Sequence, residues 1–270
     1  VMSFIKSNMI KKGRKMDKPK APPLVTVIIP AYNCTNTVER SIESVLNQTM
    51  PDFELIVVDD ASQDKTFEII SEMAKKDLRI KILKNDCNIG VAATRNRALK
   101  IASGKYIAFL DSDDIWAKEK LKKQIALLEK TDGDICFTSY GFVNLVGLPI
   151  RRAPYIVPLE TDYHGMLREN VIGLSTTLVK RDTLKGIEFD GRWFHEDYAL
   201  WLFLLRSGKT AWGLQEVLVT YRTGGRSSNK INVAKNRWKI YREHEGLSVI
   251  KSVYYFCCYA INGIKKRLKI

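Results

Sequence analysis

The chain has 270 residues, 45% hydrophobic and 27% charged, which supplies apolar material for a core and excludes intrinsic disorder or a disulfide-stapled miniprotein. Its 16 glycines and 8 prolines are too few for a low-complexity chain, and no internal repeat points to a solenoid. The formal net charge of +14 lies entirely at the ends: residues 1–23 hold seven Lys/Arg and one acid, residues 24–229 hold 27 of each sign, and residues 230–270 hold ten basic and two acidic residues.

A neutral body between basic ends argues against a basic cleft and for ends that touch a polyanionic surface, either nucleic acid or an anionic membrane. The C-terminal composition favours the membrane, and no nucleic acid partner is expected. At the C-terminus Leu247, Val249, Ile250, Val253, Tyr254, Tyr255, Phe256, Tyr259 and Ile261 run into Lys265, Lys266, Arg267 and Lys269, as interfacial helices do. A last helix packed on the core, with a solvated basic tail, is the alternative. No apolar stretch reaches the ~20 residues of a membrane span, and the N-terminus lacks a secretory apolar core. Cys34, Cys87, Cys136, Cys257 and Cys258 form no CxxC pair and are expected as free thiols. The expected location is the cytoplasm, peripheral on the inner face of the cell membrane.

Val25 to Ile29 is a β-branched run ended by Pro30 and predicts a buried strand. A helix follows, capped by Asn36 or Thr37, with Val38, Ile42, Val45 and Leu46 at helical spacing and Pro51 as its stop. Phe53 to Val58 is a second strand ending in Asp59-Asp60, and Asp64 can cap a helix with Phe67, Ile70 and Met73 on its apolar face. Ile80 to Leu83 (strand), Gly90 to Ala102 (helix) and Tyr106 to Leu110 (strand) continue the alternation as far as Asp111-Ser112-Asp113-Asp114. It predicts an α/β fold: a mostly parallel sheet covered on both faces, with its ligand crevice at the carboxyl ends of the strands. A helix at Lys118 to Glu129 and a strand at Ile135 to Ser139 come next. Over about 145 to 172 Pro149, Pro154 and Pro158 predict an excursion. Leu174 to Val179 reads as a strand, Glu196 to Leu205 as a helix and Val217 to Tyr221 as a late strand. The expected divisions are 1–23 (basic extension), 24–130, 131–229 and 230–270 (basic amphipathic helical segment).

Three carboxylates on one turn after an apolar strand repel one another and call for a divalent cation; Mn2+ or Mg2+ prefers one or two carboxylates plus phosphate oxygens, which suits a nucleoside diphosphate. The plain alternative is an acidic turn capping the next helix. Asp59-Asp60 could accept from a base or ribose, and Asn88-x-Gly90 with Arg95 opens a helix whose amides favour phosphate. Strand-end turns and a surface cation explain each of these singly; their convergence at several strand ends is harder to explain that way.

Together Val27-Ile28-Ile29-Pro30-Ala31-Tyr32-Asn33, Val57-Val58-Asp59-Asp60-Ala61-Ser62-Gln63-Asp64, Asn88-Ile89-Gly90, Arg95-Asn96 and Asp111-Ser112-Asp113-Asp114 resemble glycosyltransferase family 2 over about residues 24 to 130. The resemblance implies a GT-A fold and transfer of a sugar, with inversion, from a nucleotide donor, with residues 24–130 binding the nucleotide-sugar and 131–229 carrying the acceptor site and the catalytic base. It implies a donor site of Pro30, Ala31, Tyr32, Asn33, Asp59, Asp60, Asn88, Gly90, Arg95, Asp111, Ser112, Asp113 and Arg222. Within it Pro30, Tyr32 and Asp59 would hold the base, Arg95 would contact the base or phosphate region, Asp111 the ribose, and Asp113 with Asp111 the metal. The family's usual glycine after the Asp pair is Ala61 here.

Inversion requires a base on the acceptor side of the sugar. His195-Glu196-Asp197, before an apolar helix, resembles the family's Glu-Asp pair at this step: Asp197 is the expected base, with Glu196 orienting the acceptor or restraining Asp197 and the pair raising one another's pKa. Helix capping is the plain alternative. Tyr221-Arg222, Gly224, Gly225 and Arg226 could close over the diphosphate, or form a solvated basic loop. Gly173-Leu174-Ser175-Thr176-Thr177 could line an acceptor pocket, and His164, His195 and His244 show no ligand spacing.

The implied partners are a UDP-sugar donor and a saccharide acceptor, lipid-linked through polyprenyl diphosphate, in synthesis of bacterial surface polysaccharide. A sugar-phosphate nucleotidyltransferase is disfavoured because no glycine-rich loop with a lysine follows the first strand. A catalytically silent nucleotide-binding domain, with basic ends that bind membrane or RNA, is the alternative from outside the enzymes.

Overall fold

A computed structural model describes residues 21–224 and 230–268. Most of the 1–23 extension, Gly225, Arg226 and Lys269 lie outside the described residues. One sheet is built from β1 (Val25–Ala31), β2 (Phe53–Asp59), β3 (Ile80–Lys84), β4 (Tyr106–Phe109), β5 (Ile115–Trp116), β6 (Ile135–Val143), β7 (Glu160–Thr161), β8 (Leu178–Lys180) and β9 (Ala211–Arg222). The helices are α1 (Val38–Leu46), α2 (Thr66–Lys76), α3 (Val91–Leu99), α4 (Lys120–Thr131), α5 (Tyr163–Arg168), α6 (Glu196–Arg206), α7 (Lys230–Lys239) and α8 (Val249–Leu268). Strand order is β3-β2-β1-β4-β8-β6-β9-β5, with β7 added beside β9. The long ladders, β1 to β2 and β6 to β9, are parallel. The antiparallel ones, around β8 and at β5 and β7, span only two or three residue pairs.

Every residue of β1 and β2 is buried, and the two-residue period of a strand splits them between two layers. Val25, Val27 and Ile29 join α1, α2 and α4 on one face; Ile28, Ile56 and Val58 join α3, α5, α6 and Tyr255 of α8 on the other. Each fully buried Val or Ile stabilises the fold by roughly 1.5–3 kcal/mol.

Several elements differ from expectation. β1 runs through Pro30 to Ala31 because the ladder to β4 stops at Ile28–Phe109, so the missing proline N–H costs nothing on that side. The expected strand Leu174 to Val179 is a 3-10 turn at Leu174–Thr176 followed by β8. Its hydroxyls explain the turn: Thr176 donates to the Gly173 carbonyl and Thr177 to that of Leu174. β9 begins six residues before Val217, because irregular pairing around Ser139 lets it continue past exposed Gln215 and Glu216. The expected caps also shift. Thr37 makes no side-chain bond to the α1 amides, while Asp64 accepts from Thr66 N at 3.0 Å and Thr35 N at 3.2 Å.

The loop after β2 is pinned by Asn33, which donates its amide to Ser62 Oγ and accepts from Gln63 N. Ala61 in this loop has φ of 59°, the left-handed region where glycine is at ease and an L side chain is strained by about 1–2 kcal/mol. Ala61→Gly relieves that strain at an unfolded-state cost of about 0.4–1 kcal/mol. The expected net gain is about 0.5–1 kcal/mol, seen as a higher thermal midpoint; an unchanged or lower midpoint would show that Ala61 is unstrained.

Candidate active site

The carboxyl ends of β1, β2 and β4 open into a crevice of about 1160 Å³. Pro30, Ala31, Tyr32, Asn33, Asp60, Asn88, Gly90, Arg95, Asp111, Ser112, Asp113, Glu196, Asp197 and Arg222 all line it. Asp59 lies buried at the end of β2, where its Oδ2 accepts from Ser62 N. Its Oδ1 is buried with no partner, and an unmade bond of this kind costs about 1–3 kcal/mol until a donor supplies it.

Two residues expected as ligand contacts have internal partners instead. Asp60 accepts from Asn85 Nδ2 (2.7 Å) and Ile89 N (2.9 Å) through Oδ1, and from Gly90 N (3.0 Å) through Oδ2. Its carboxylate therefore clamps the loop that starts α3, where Gly90 has φ of 83°, rather than standing ready for base or ribose. Arg95 is 3% exposed. Its terminal nitrogens reach Glu196 Oε1 at 2.6 Å and Asp111 Oδ1 at 2.7 Å, so the guanidinium is a strut between α6 and the acidic turn rather than a surface cation reaching for phosphate. Next to it Asn96 brackets Phe189 through both its N–H and its carbonyl, which fixes the chain that leads into α6.

The acidic turn divides its labour. Asp114 is buried and turned inward, accepting from Ser175 Oγ at 2.6 Å and Arg222 N at 3.1 Å; burial and the charges of Asp111 and Asp113 raise its carboxyl well above the usual range. Asp113 stays at the crevice wall, where burial and then Asp111 push it up to about 6 against the pull of Arg222. Crowded carboxylates of this kind are stabilised by a cation. Asp113 and the Asp111 oxygen left by Arg95 fit a hard divalent ion that completes its shell with phosphate and water. Among the described residues no group of three or more His, Cys, Asp or Glu forms a protein-only metal cage.

α6 begins at Glu196 with His195 as N-cap residue, whose side chain makes no capping bond, and the Asp197 carboxylate accepts from the first-turn amide of Tyr198. Burial, then Glu196, raises the Asp197 carboxyl to about 6, opposed by Arg95. Asn170 and Tyr140 also line the crevice and carried no sequence signal, because their roles arise from distant contacts. Asn170 Oδ1 is buried without a partner. The Tyr221 ring meets Tyr140 edge-on at 4.7 Å and lies so close to Gly173 that a Cβ there would be 2.4 Å from its hydroxyl. Of the proposed acceptor stretch, Gly173 and Leu174 line the crevice, while Ser175, Thr176 and Thr177 are fully buried. Arg222 is bound to the carbonyls of Asp113 and Leu145.

Known proteins resemble the chain in sequence and in fold. The chain is 40% identical over 248 residues to the putative teichuronic acid biosynthesis glycosyltransferase TuaG of Bacillus subtilis (strain 168), covering 91% of this chain and 98% of that one. It is 36% identical over 250 residues to the Escherichia coli UDP-Glc:alpha-D-GlcNAc-diphosphoundecaprenol beta-1,3-glucosyltransferase WfgD, covering 90% and 94%. Among solved structures, S. aureus TarS 1–349 in complex with UDP superposes with a TM-score of 0.64 at 23% identity, over 86% of this chain and 69% of that one, which places the fold with the GT-A type. The model for glycosyl transferase family 2 matches residues 26–192, and the chain belongs to that family.

Proposed function

We propose that this chain is an inverting, metal-assisted glycosyltransferase that moves a hexose or N-acetylhexosamine from a UDP-sugar to a saccharide carried on polyprenyl diphosphate, in the synthesis of a bacterial surface polysaccharide. The observation that carries this reading is that Asp113 and Asp197, from opposite halves of the chain, line one crevice and are tied together through Asp111, Arg95 and Glu196. The names of similar chains, a UDP-glucose-dependent transferase acting on a diphosphoundecaprenol-linked sugar and a teichuronic acid enzyme, support the donor and acceptor classes.

Asp59 Oδ1 would accept the N3–H of uracil, and half-exposed Tyr32 would stack on the base. A divalent ion held by Asp113 and Asp111 would offset the negative charge that builds on the departing diphosphate. Asp197 would take the proton from the acceptor hydroxyl as its oxygen bonds to the anomeric carbon. The bond from that carbon to the diphosphate oxygen breaks on the opposite face, and UDP leaves with the electron pair. Arg95 and Glu196 hold Asp197 in place without touching the reacting atoms.

The basic C-terminus supports action at an anionic membrane surface. α8 packs on the core through Ser252, Tyr255 and Phe256 and leaves Val249, Ile250, Val253, Tyr254, Ile261 and Ile264 exposed, so packing and an outward apolar face coexist. Among the described residues no helix is long and apolar enough to cross a membrane. The outward face, with Lys251, would lie in the headgroup region.

In calorimetry Mn2+ should strengthen UDP binding, and Asp113→Asn should remove that increment; metal-independent binding would contradict the metal assignment. Asp197→Asn should bind UDP normally and lose transfer by at least about a hundredfold, and near-normal turnover would remove it from the base role. Because its raised carboxyl must be ionised to accept a proton, kcat/KM should hold above pH about 6 and fall roughly tenfold per unit below it. A flat profile to pH 5 would contradict this. Ile250→Glu with Val253→Glu, both on the exposed face, should reduce sedimentation with phosphatidylglycerol vesicles without lowering the thermal midpoint; unchanged sedimentation would end the membrane proposal.

A further inference from the structure

A second cavity of about 560 Å³ adjoins the crevice and shares Tyr140, Phe142 and Arg152 with it, a size within the range of small-molecule pockets. The partition between the two is the segment 169–171: Asn170 lines the crevice, while Glu169 and Val171 line the second cavity. Its walls are aromatic and aliphatic, and Tyr140, Phe142 and Tyr155 meet with ring centroids 5.2–5.4 Å apart. Two cations stand in it. The Arg152 guanidinium lies 3.7 Å over the Phe142 ring, and Lys265 arrives from α8, beside Asn262. Among the described residues neither cation is within ion-pair distance of a carboxylate; the one acid of the lining, Glu169, accepts from the Tyr155 hydroxyl at 2.7 Å.

Two solvent-exposed cations against one carboxylate, at the mouth of an aromatic and aliphatic recess, suit phosphate joined to an apolar chain. Placement supplies a direction. Inward, the recess continues through Tyr140 to Tyr221 and the crevice that holds Asp197. Outward, it ends on α8, whose solvent side carries Ile261 and Ile264.

We propose that this second cavity holds the diphosphate of a prenyl-diphosphate-linked saccharide, with Arg152 and Lys265 on the phosphates, the sugar passing Asn170 into the crevice, and the lipid leaving over the apolar face of α8. This assignment rests on the glycosyltransferase reading and names the part of the molecule that takes the acceptor. The unpartnered Asn170 Oδ1 supplies an acceptor for a sugar hydroxyl at the passage.

Binding of farnesyl diphosphate and of farnesol to the full chain, saturated with UDP and Mn2+, tests the proposal. The diphosphate should bind at least tenfold more tightly than the alcohol. Arg152→Glu and Lys265→Glu should each weaken it about tenfold or more with the thermal midpoint kept, and Lys265→Glu, which lies outside the crevice, should also keep UDP affinity. Equal binding of alcohol and diphosphate, or variants that hold the diphosphate as the native chain does, would overturn it, as would native protein that binds UDP but no farnesyl diphosphate. Native protein that binds no UDP at all would instead remove the glycosyltransferase reading beneath it, so the two failures are separable.

Discussion

One buried cation organises the site. The Arg95 guanidinium sits between Glu196, itself 3% exposed, and Asp111, and so joins the helix that carries Asp197 to the turn that carries Asp113. Removing one partner of a buried ion pair such as Arg95–Glu196 typically costs about 3–5 kcal/mol. The same guanidinium restrains the pKa of Asp197: burial and Glu196 raise that carboxyl, and Arg95 limits the rise. Strut and pKa control are thus one interaction, and it reaches across 101 residues of sequence.

The first half of the fold was legible because its determinants are local. β-branched runs stop at acidic or asparagine-rich turns and alternate with helical periods, and the strand ends bring their polar clusters to one edge of the sheet. Which carboxylate does what was not legible. Asp59, Asp60, Asp111, Asp113 and Asp114 look alike in sequence, yet Asp60 and Asp114 are held by internal donors, and Asp59 keeps an unpartnered oxygen. These differences come from Asn85, Gly90, Ser175 and Arg222, whose positions only the folded chain fixes. The second half was harder because its strands are short or irregular. β8 follows a turn made by hydroxyls, and β9 survives a register shift that breaks its alternation.

The C-terminal segment resolves a question that composition left open. A wide apolar band can face core or solvent, and α8 does both: Tyr255 is in the core, while Ile250 is 83% exposed. Since α8 also supplies Asn262 and Lys265 to the second cavity, the helix proposed to lie at a membrane is also a wall of the recess beside the crevice. On the proposed reading, charge at the end of the chain and chemistry at the strand ends would serve one reaction, in which a substrate anchored in lipid would meet a donor held by the sheet.

The central claim is that one crevice seats a uridine nucleotide with its diphosphate toward Asp113 and within reach of Asp197. A crystal structure of the chain with UDP and Mn2+ tests it most directly. Uracil bonded to Asp59 Oδ1, with the diphosphate and the manganese anomalous signal beside Asp113, is the predicted result. UDP seated elsewhere, or a uracil that leaves Asp59 Oδ1 unpartnered, would contradict it.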